Sequence, residues 1–229
     1  MDTISIPRRF CGPPTSGNGG YTAGLLARHI DGPAEVTLRK PPPLERLLRV
    51  ETDSAGARLM DGDALVAAAR PTTLTVDPLP AVPLTAATEA SATSPFLDTT
   101  VHPFPSCFVC GPERDNGDGL RIFAGRVPGT ESFAAPWTPD EVDDLTVWAA
   151  LDCPSCAVIY LDDDHPPPFV LGRIAVRIDT LPRAGEPHVI MSWQLARDGR
   201  KVFSASAIST TAGELCAVAQ ATWIELPAS

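Results

Sequence analysis

Six cysteines are the residues of this sequence whose types and spacing point most directly to chemistry. Cys107 and Cys110 form one Cys-x-x-Cys pair, and Cys153 and Cys156 form a second. Four thiolates from two such pairs can hold a structural zinc ion in a tetrahedron. The pairs are separated by 42 residues, 111 to 152, whereas about 15–20 residues is usual, and Pro154 interrupts the second pair. We therefore expect no metal and keep a zinc site as the alternative.

Other short motifs add little chemistry. The four histidines are scattered and belong to no recognisable nucleophile–base pattern. The run from Asp162 to His165 precedes three prolines, which indicates a solvated loop, with an oxygen-ligated cation site as the alternative. The sequence contains neither a Gly-Lys phosphate loop nor a dinucleotide fingerprint. We expect no cofactor.

The composition describes a chain that can bury a core. Of 229 residues, 44% are hydrophobic and 20% are charged, and 25 prolines favour short elements and many turns. The net charge of -10 disfavours nucleic acid or an anionic membrane as a partner. No apolar run approaches the roughly 18 residues of a membrane span, and the N-terminus lacks the apolar core of a signal peptide. These features predict a cytoplasmic protein with reduced thiols.

One segment divides the chain. Residues 78–105 hold six prolines, many Ala, Thr and Ser, and only two charged side chains, with no helical or strand period. This composition predicts an extended linker on the surface. It separates an N-terminal domain, 1–77, from a C-terminal domain, 106–229.

The N-terminal domain reads as one helix followed by strands. A loop over 15–20 precedes a helix over 21–30, whose small residues would let it lie close to a sheet, and Gly32-Pro33 ends it. A turn is expected around Gly62. The predicted strands are 34–39, 44–51 and 64–76.

The C-terminal domain repeats this order. A hairpin is predicted over 119–125 and 131–135, then a helix with Thr138 as N-cap and a kink or end at Pro154. One helix followed by a meander of strands, twice, is an α+β architecture. The four predicted strands that follow are 170–178, 188–196, 202–210 and 214–226.

Five segments resemble parts of one family. The run 36–41 leading into 44–51 is similar to the first hotdog of the acyl-CoA thioesterase II family, and 107–111 with 119–122 resembles the first strand entry of many single hotdog thioesterases. The run 17–24, Gly-Asn-Gly-Gly-Tyr-Thr-Ala-Gly, resembles the Gly-Gly helix start of hotdog-fold thioesterases. The run 148–152, Trp-Ala-Ala-Leu-Asp, resembles the second-hotdog helix of the acyl-CoA thioesterase II family, and 215–220 resembles its last strand. The resemblance implies two tandem hotdog folds, each a curved antiparallel sheet wrapped around a central helix, paired through their edge strands.

The resemblance also implies roles for individual residues. Asp152 would be the catalytic carboxylate, Gln220 would orient the same water, and the Gly20 amide at a helix N-terminus would polarise the thioester carbonyl. Plain structural roles remain the alternatives: a helix cap for Asp152, a solvated strand residue for Gln220, and an ordinary turn at Gly20. Substrate contacts are expected from Asn18, Gly19, Tyr21 and Trp148.

The implied activity is hydrolysis of an acyl-CoA or acyl-carrier thioester. The family's third catalytic residue, a Ser or Thr, falls near Asp198-Gly199, and neither residue fits that role. A non-catalytic acyl-binding module is therefore one alternative. A hotdog dehydratase-like protein is another, although Asn18 stands where such enzymes use His. Unpaired edge strands can pair with a second copy of the chain, so a homodimer is a further expectation.

Overall fold

A computed structural model describes residues 2–77 and 79–227 of the chain. Most of its secondary structure is antiparallel sheet. Three 3₁₀ turns supplement the strands and helices: Arg8–Phe10, Pro95–Leu97 and Ala157–Leu161. The N-terminal elements are β1 (Thr3–Ile4), α1 (Gly19–Ala27), β2 (Ala34–Leu38), β3 (Leu48–Asp53), β4 (Gly56–Asp61) and β5 (Ala64–Pro71), followed by α2 (Leu84–Ala92). The C-terminal elements are β6 (Gly125–Arg126), β7 (Ser132–Trp137), α3 (Asp144–Cys156), β8 (Phe169–Ile178), β9 (His188–Asp198), β10 (Lys201–Thr210) and β11 (Leu215–Glu225).

The eleven strands within residues 2–77 and 79–227 form one sheet in the order β1-β3-β4-β5-β2-β8-β11-β10-β9-β7-β6. Each neighbouring pair is antiparallel. The two halves have the same connectivity. In each, a helix is followed by four strands, of which the first pairs with the last, and the strand before the helix extends the far edge. The halves join where β2 pairs with β8, from Ala34 opposite Val176 to Thr37 opposite Arg173. The predicted pairing through edge strands is therefore present.

Helices α1 and α3 lie against one face of this sheet and against each other. Glycines on α1 make the contact close. A Cβ atom placed at Gly24 would lie 2.9 Å from the Cβ of Trp148, and one at Gly20 would lie 2.5 Å from the Cβ of Asp152. Any larger residue at these two positions would collide with α3. The glycines therefore allow α1 and α3 to pack this closely.

The segment 78–105 is not the extended linker that its composition predicts. Pro78 lies outside the described residues, but Leu84–Ala92 forms α2. Ala87 and Ala90 of α2 pack with Ala134 and Met191 on the outer face of the sheet. The helical stripe is made of alanines, which differ too little from the surrounding Thr and Ser to show a period. The domain boundaries themselves stay a prediction.

Several element bounds also differ from expectation. Helix α3 begins at Asp144, because Asp143 rather than Thr138 is the N-cap and accepts a hydrogen bond from the N–H of Thr146. Pro154 does not end α3, which continues to Cys156. Of the hairpin predicted over 119–125, only Gly125 pairs with β7. Strand β4 was not predicted, and the turn expected around Gly62 connects it to β5.

The stretch Asp144–Leu161 is long and apolar enough to span a membrane by length and composition alone. However, 83% of it is buried within the fold, where the sheet and α1 cover it. Its apolar character is that of a core helix.

Candidate active site

Helix α3 is fixed to the sheet by hydroxyl groups around Asp152. The Ser206 hydroxyl on β10 donates to the carbonyl of Leu151 at 2.7 Å. The Trp223 indole on β11 donates to the Ser155 hydroxyl at 2.9 Å, and that hydroxyl donates to the Asp152 carbonyl at 2.6 Å. These bonds hold the helix at its proline, so the Asp152 side chain has a defined position.

The Asp152 carboxylate lies buried at the contact between α1 and α3, with 2% of the residue exposed. Its Oδ2 accepts hydrogen bonds from Asn18 Nδ2 at 2.8 Å and from the Gly20 N–H at 2.9 Å. Its Oδ1 is buried and has no hydrogen-bond partner among the described residues. Burial raises the pKa of Asp152 to about 7, and the two donors oppose that shift. One oxygen is thus anchored and the other is free to bind a small polar molecule.

Asn18 holds this carboxylate and begins α1. Its Oδ1 accepts from the Tyr21 N–H at 2.8 Å, which makes it the N-cap, while its Nδ2 donates to Asp152. Asn18 is itself buried, at 2% exposure. The structure therefore gives Asn18 a positioning role, in place of the substrate contact expected from the sequence.

We expect Asn18→Ala to lower the free energy of unfolding by about 2–4 kcal/mol. The change removes an N-cap, worth about 1 kcal/mol, and a donor to a buried carboxylate, worth about 1.5–3 kcal/mol. Urea unfolding followed by circular dichroism measures the loss. Asp143→Ala is the matched control, because it removes the N-cap of α3 at the surface. A loss for Asn18→Ala no larger than that for Asp143→Ala would contradict the bond to Asp152.

Gln220 lies away from Asp152. It is exposed, and its cross-strand neighbours Ala205 and Ala175 belong to an apolar cluster on the outer face of the sheet. The inward positions of β11 are those of Ala219 and Ala221, which pack in the main core with the helices. The expected pairing of Gln220 with Asp152 around one water is therefore wrong in this structure.

Three further expected roles change with the structure. The Gly20 N–H donates to Asp152, so it does not face a free carbonyl group. A Cβ atom at Gly19 would meet the side chain of Leu171 at 2.7 Å, so Gly19 serves the contact with β8. Trp148 is buried against Gly24 and acts as a packing residue between the helices.

Tyr21 lines a cavity of about 680 Å³, and its contact with a substrate stays a prediction. Its ring stacks on Phe10 with centroids 3.9 Å apart, and Phe108 meets both rings edge-on. The opposite wall is the segment 137–143. Asp152 does not line this cavity, but Tyr21 directly follows Gly20, whose N–H donates to the Asp152 carboxylate. Nothing in the local sequence around Phe10 and Phe108 marks them as neighbours of Tyr21, because they meet only through the tertiary fold.

Three of the four paired cysteines meet beside this carboxylate. The sulfur atoms of Cys107, Cys110 and Cys153 all lie within 4.8 Å of one another. The sulfurs of Cys107 and Cys153 are 3.6 Å apart. Hydrogen bonds from the neighbouring thiols, that of Cys110 first, lower the pKa of Cys107. Cys156 is buried but lies outside this group.

Comparisons with known proteins rest on structure alone. No family model matches the chain, and no curated protein matches it by sequence. A hotdog-fold protein of unknown function from Alicyclobacillus acidocaldarius superposes with a TM-score of 0.64 at 12% identity, over 99% of this chain and 93% of that one. An acyl-CoA thioesterase II from Mycobacterium marinum gives 0.61 at 12% identity, over 99% and 93%. The tesB protein of Mycobacterium avium subs paratuberculosis gives 0.59 at 9% identity, over 92% and 88%. At these identities the likeness establishes the fold, and the chain is a tandem hotdog protein.

Proposed function

We propose that this protein hydrolyses an acyl thioester of coenzyme A or of an acyl carrier, with Asp152 as general base. One observation carries the proposal: a buried carboxylate at the contact of the two hotdog helices has Oδ2 anchored by two donors and Oδ1 without a partner. A carboxylate held in this way can bind a water molecule and accept its proton, because its orientation is already fixed.

The proposed reaction uses one water molecule. Asp152 accepts a proton from the water molecule as the water oxygen attacks the thioester carbonyl carbon. The C–S bond then breaks, the thiol leaves with that proton, and the carboxylic acid remains. Asn18 and Gly20 act through Asp152, since both donate to Oδ2 and keep Oδ1 in place.

The cavity beside Tyr21 is the proposed entry for the substrate. Arg9 and Arg121 line it beside the acidic side chains of Asp140, Glu141 and Asp143, and Arg9 forms an ion pair with Asp118. The two arginines are the proposed contacts for the phosphates of coenzyme A or of a carrier's phosphopantetheine. Asp152 is buried and does not line the cavity, so the proposal requires the cavity wall, which includes the stacked rings of Phe10 and Tyr21, to move when the acyl group enters. The names of two structural neighbours, an acyl-CoA thioesterase II and a tesB protein, support this class of substrate.

A non-catalytic acyl-binding module is the second candidate. Two observations favour it. Asp152 is buried, at 2% exposure, and Gln220, the second expected catalytic residue, lies on the outer face of the sheet. A dehydratase-like reaction, a homodimer and a cytoplasmic location stay predictions of the sequence alone.

Two measurements on the wild-type protein separate these functions. Thiol release is followed with short, medium, long and aromatic acyl-CoAs and with an acylated carrier protein. Binding of the matching non-hydrolysable thioethers is measured by calorimetry. We expect thiol release with at least one substrate. Tight binding without release would favour the binding module, and neither binding nor release would overturn both candidates.

A further inference from the structure

The three clustered thiols come from parts of the chain that secondary structure does not connect. Cys107 and Cys110 lie in residues 98–124, a segment of 27 residues without helix or strand, whereas Cys153 lies on α3. All three residues are buried, at 3%, 4% and 7% exposure. Irregular segments of this length inside a compact domain are uncommon and generally serve a function.

The turn that carries the first two cysteines is held tightly. The Gly111 N–H donates to the Cys107 carbonyl at 2.9 Å, and a Cβ atom at Gly111 would clash with that same carbonyl oxygen. His102 fixes the turn from outside, because its Nδ1 accepts from the Phe104 N–H at 3.0 Å, which leaves Nε2 to donate to the Cys110 carbonyl at 3.0 Å. The spacing and direction of the two thiols are therefore set by the backbone.

One hydrogen-bond donor faces two of the sulfur atoms. Asn18 Nδ2 lies 4.0 Å from the sulfur of Cys107 and 3.8 Å from that of Cys153. Donors directed at sulfur stabilise a thiolate, which is the form that binds a metal ion.

The distance between the sulfurs of Cys107 and Cys153 suits ligation of one metal ion by both. Zn–S bonds are about 2.3 Å, so sulfurs at two corners of a zinc tetrahedron lie about 3.8 Å apart. The 3.6 Å between Cys107 and Cys153 is near that value and far from the roughly 2.05 Å of a disulfide bond. The long gap between the two pairs argued against zinc in the sequence, and the fold removes that objection by bringing the turn onto α3.

We propose that Cys107, Cys110 and Cys153 bind one zinc ion as thiolates, with the fourth position filled by a ligand from outside this group. The ion would fasten the irregular segment 98–124 to α3. The proposal is independent of the thioesterase activity, and its test does not use turnover.

Cobalt uptake provides the first test. The full-length protein is reduced, freed of metal and titrated anaerobically with Co²⁺, whose absorption reports both thiolate ligation and tetrahedral geometry. We expect thiolate-to-cobalt charge-transfer bands that saturate at about one ion per chain and disappear when Zn²⁺ is added. A wild-type protein that shows no thiolate bands would overturn the proposal without the need for any variant.

Metal content of variants provides the second test. Cys107→Ser and Cys153→Ser are compared with Cys216→Ser, a buried thiol on β11 outside the cluster. After zinc loading and brief treatment with a weak chelator, we expect wild type and Cys216→Ser to keep about one zinc per chain and the other two to lose it. Circular dichroism confirms that each variant is folded. Folded Cys107→Ser and Cys153→Ser proteins that retain zinc as wild type does would contradict the assignment.

Discussion

Asp152→Asn is expected to lower kcat for thioester hydrolysis by about 10²–10⁴-fold, the range for loss of a general base. Asparagine has the same shape as aspartate, and its carbonyl oxygen can still accept from Asn18 and Gly20. Its amide group cannot accept a proton from water. The measurement is thiol release at saturating substrate, beside an unfolding curve that shows the fold is retained.

Gln220→Ala is the matched control for this variant. Gln220 was expected to share the water with Asp152, but it lies exposed on the outer face of the sheet, so its removal should leave kcat unchanged. A fully active Asp152→Asn enzyme would remove the carboxylate from the mechanism. A large loss in Gln220→Ala would show that the outer face takes part in catalysis and would contradict the placement of the site.

Gly20→Ala is expected to lower the stability of the fold strongly. The added Cβ atom would lie 2.5 Å from both the Asp152 Cβ and the Trp148 carbonyl oxygen, so α1 and α3 must move apart. Overpacking of this kind costs about 1–3 kcal/mol, and we expect the upper end because neither contacted atom can rotate away. In a domain of this size about 3 kcal/mol lowers the unfolding temperature by about 6–12 °C. Differential scanning calorimetry measures the shift.

Gly185→Ala separates packing from backbone strain. Gly185 has a φ of +76° and nothing within 4 Å of a new Cβ atom, so its substitution carries only the cost of the left-handed conformation, about 1–2 kcal/mol. Gly20→Ala should be the more destabilising of the two. If the two variants unfolded at the same temperature, the close approach of α1 and α3 at Asp152 would be wrong.

The order of elements could be predicted from the sequence because local signals agree with the fold. The last four predicted strands agree with β8 to β11, and each of their ends lies within two residues of the observed one. The helix predicted over 21–30 is present as α1, but it begins two residues earlier, because Asn18 is its N-cap and the glycines leave room for α3. Helix α2 was missed because its buried side is alanine.

The residues that form the site were harder to predict, because this depends on which side chains of each strand point toward the helices. Residues 216–219 of β11 are all apolar, so the sequence does not show which of them face inward. The family resemblance placed Gln220 beside Asp152, whereas the structure has it on the opposite face, as in the alternative of a solvated strand residue. The meeting of Cys107 and Cys153 depends on how residues 98–124 pack against α3, and no periodicity encodes that. Asp152 could be located because it lies within the run of α3 that resembles the hotdog family.

Single-turnover hydrolysis in H₂¹⁸O tests the role of Asp152 most directly. Enzyme in excess is mixed with one acyl-CoA that it cleaves, and both the released acid and the peptide containing Asp152 are analysed by mass spectrometry. If Asp152 activates water for direct attack, the acid carries one ¹⁸O atom and the peptide carries none. Incorporation of ¹⁸O into Asp152 would show that the carboxylate attacks the thioester itself, and would contradict its role as general base.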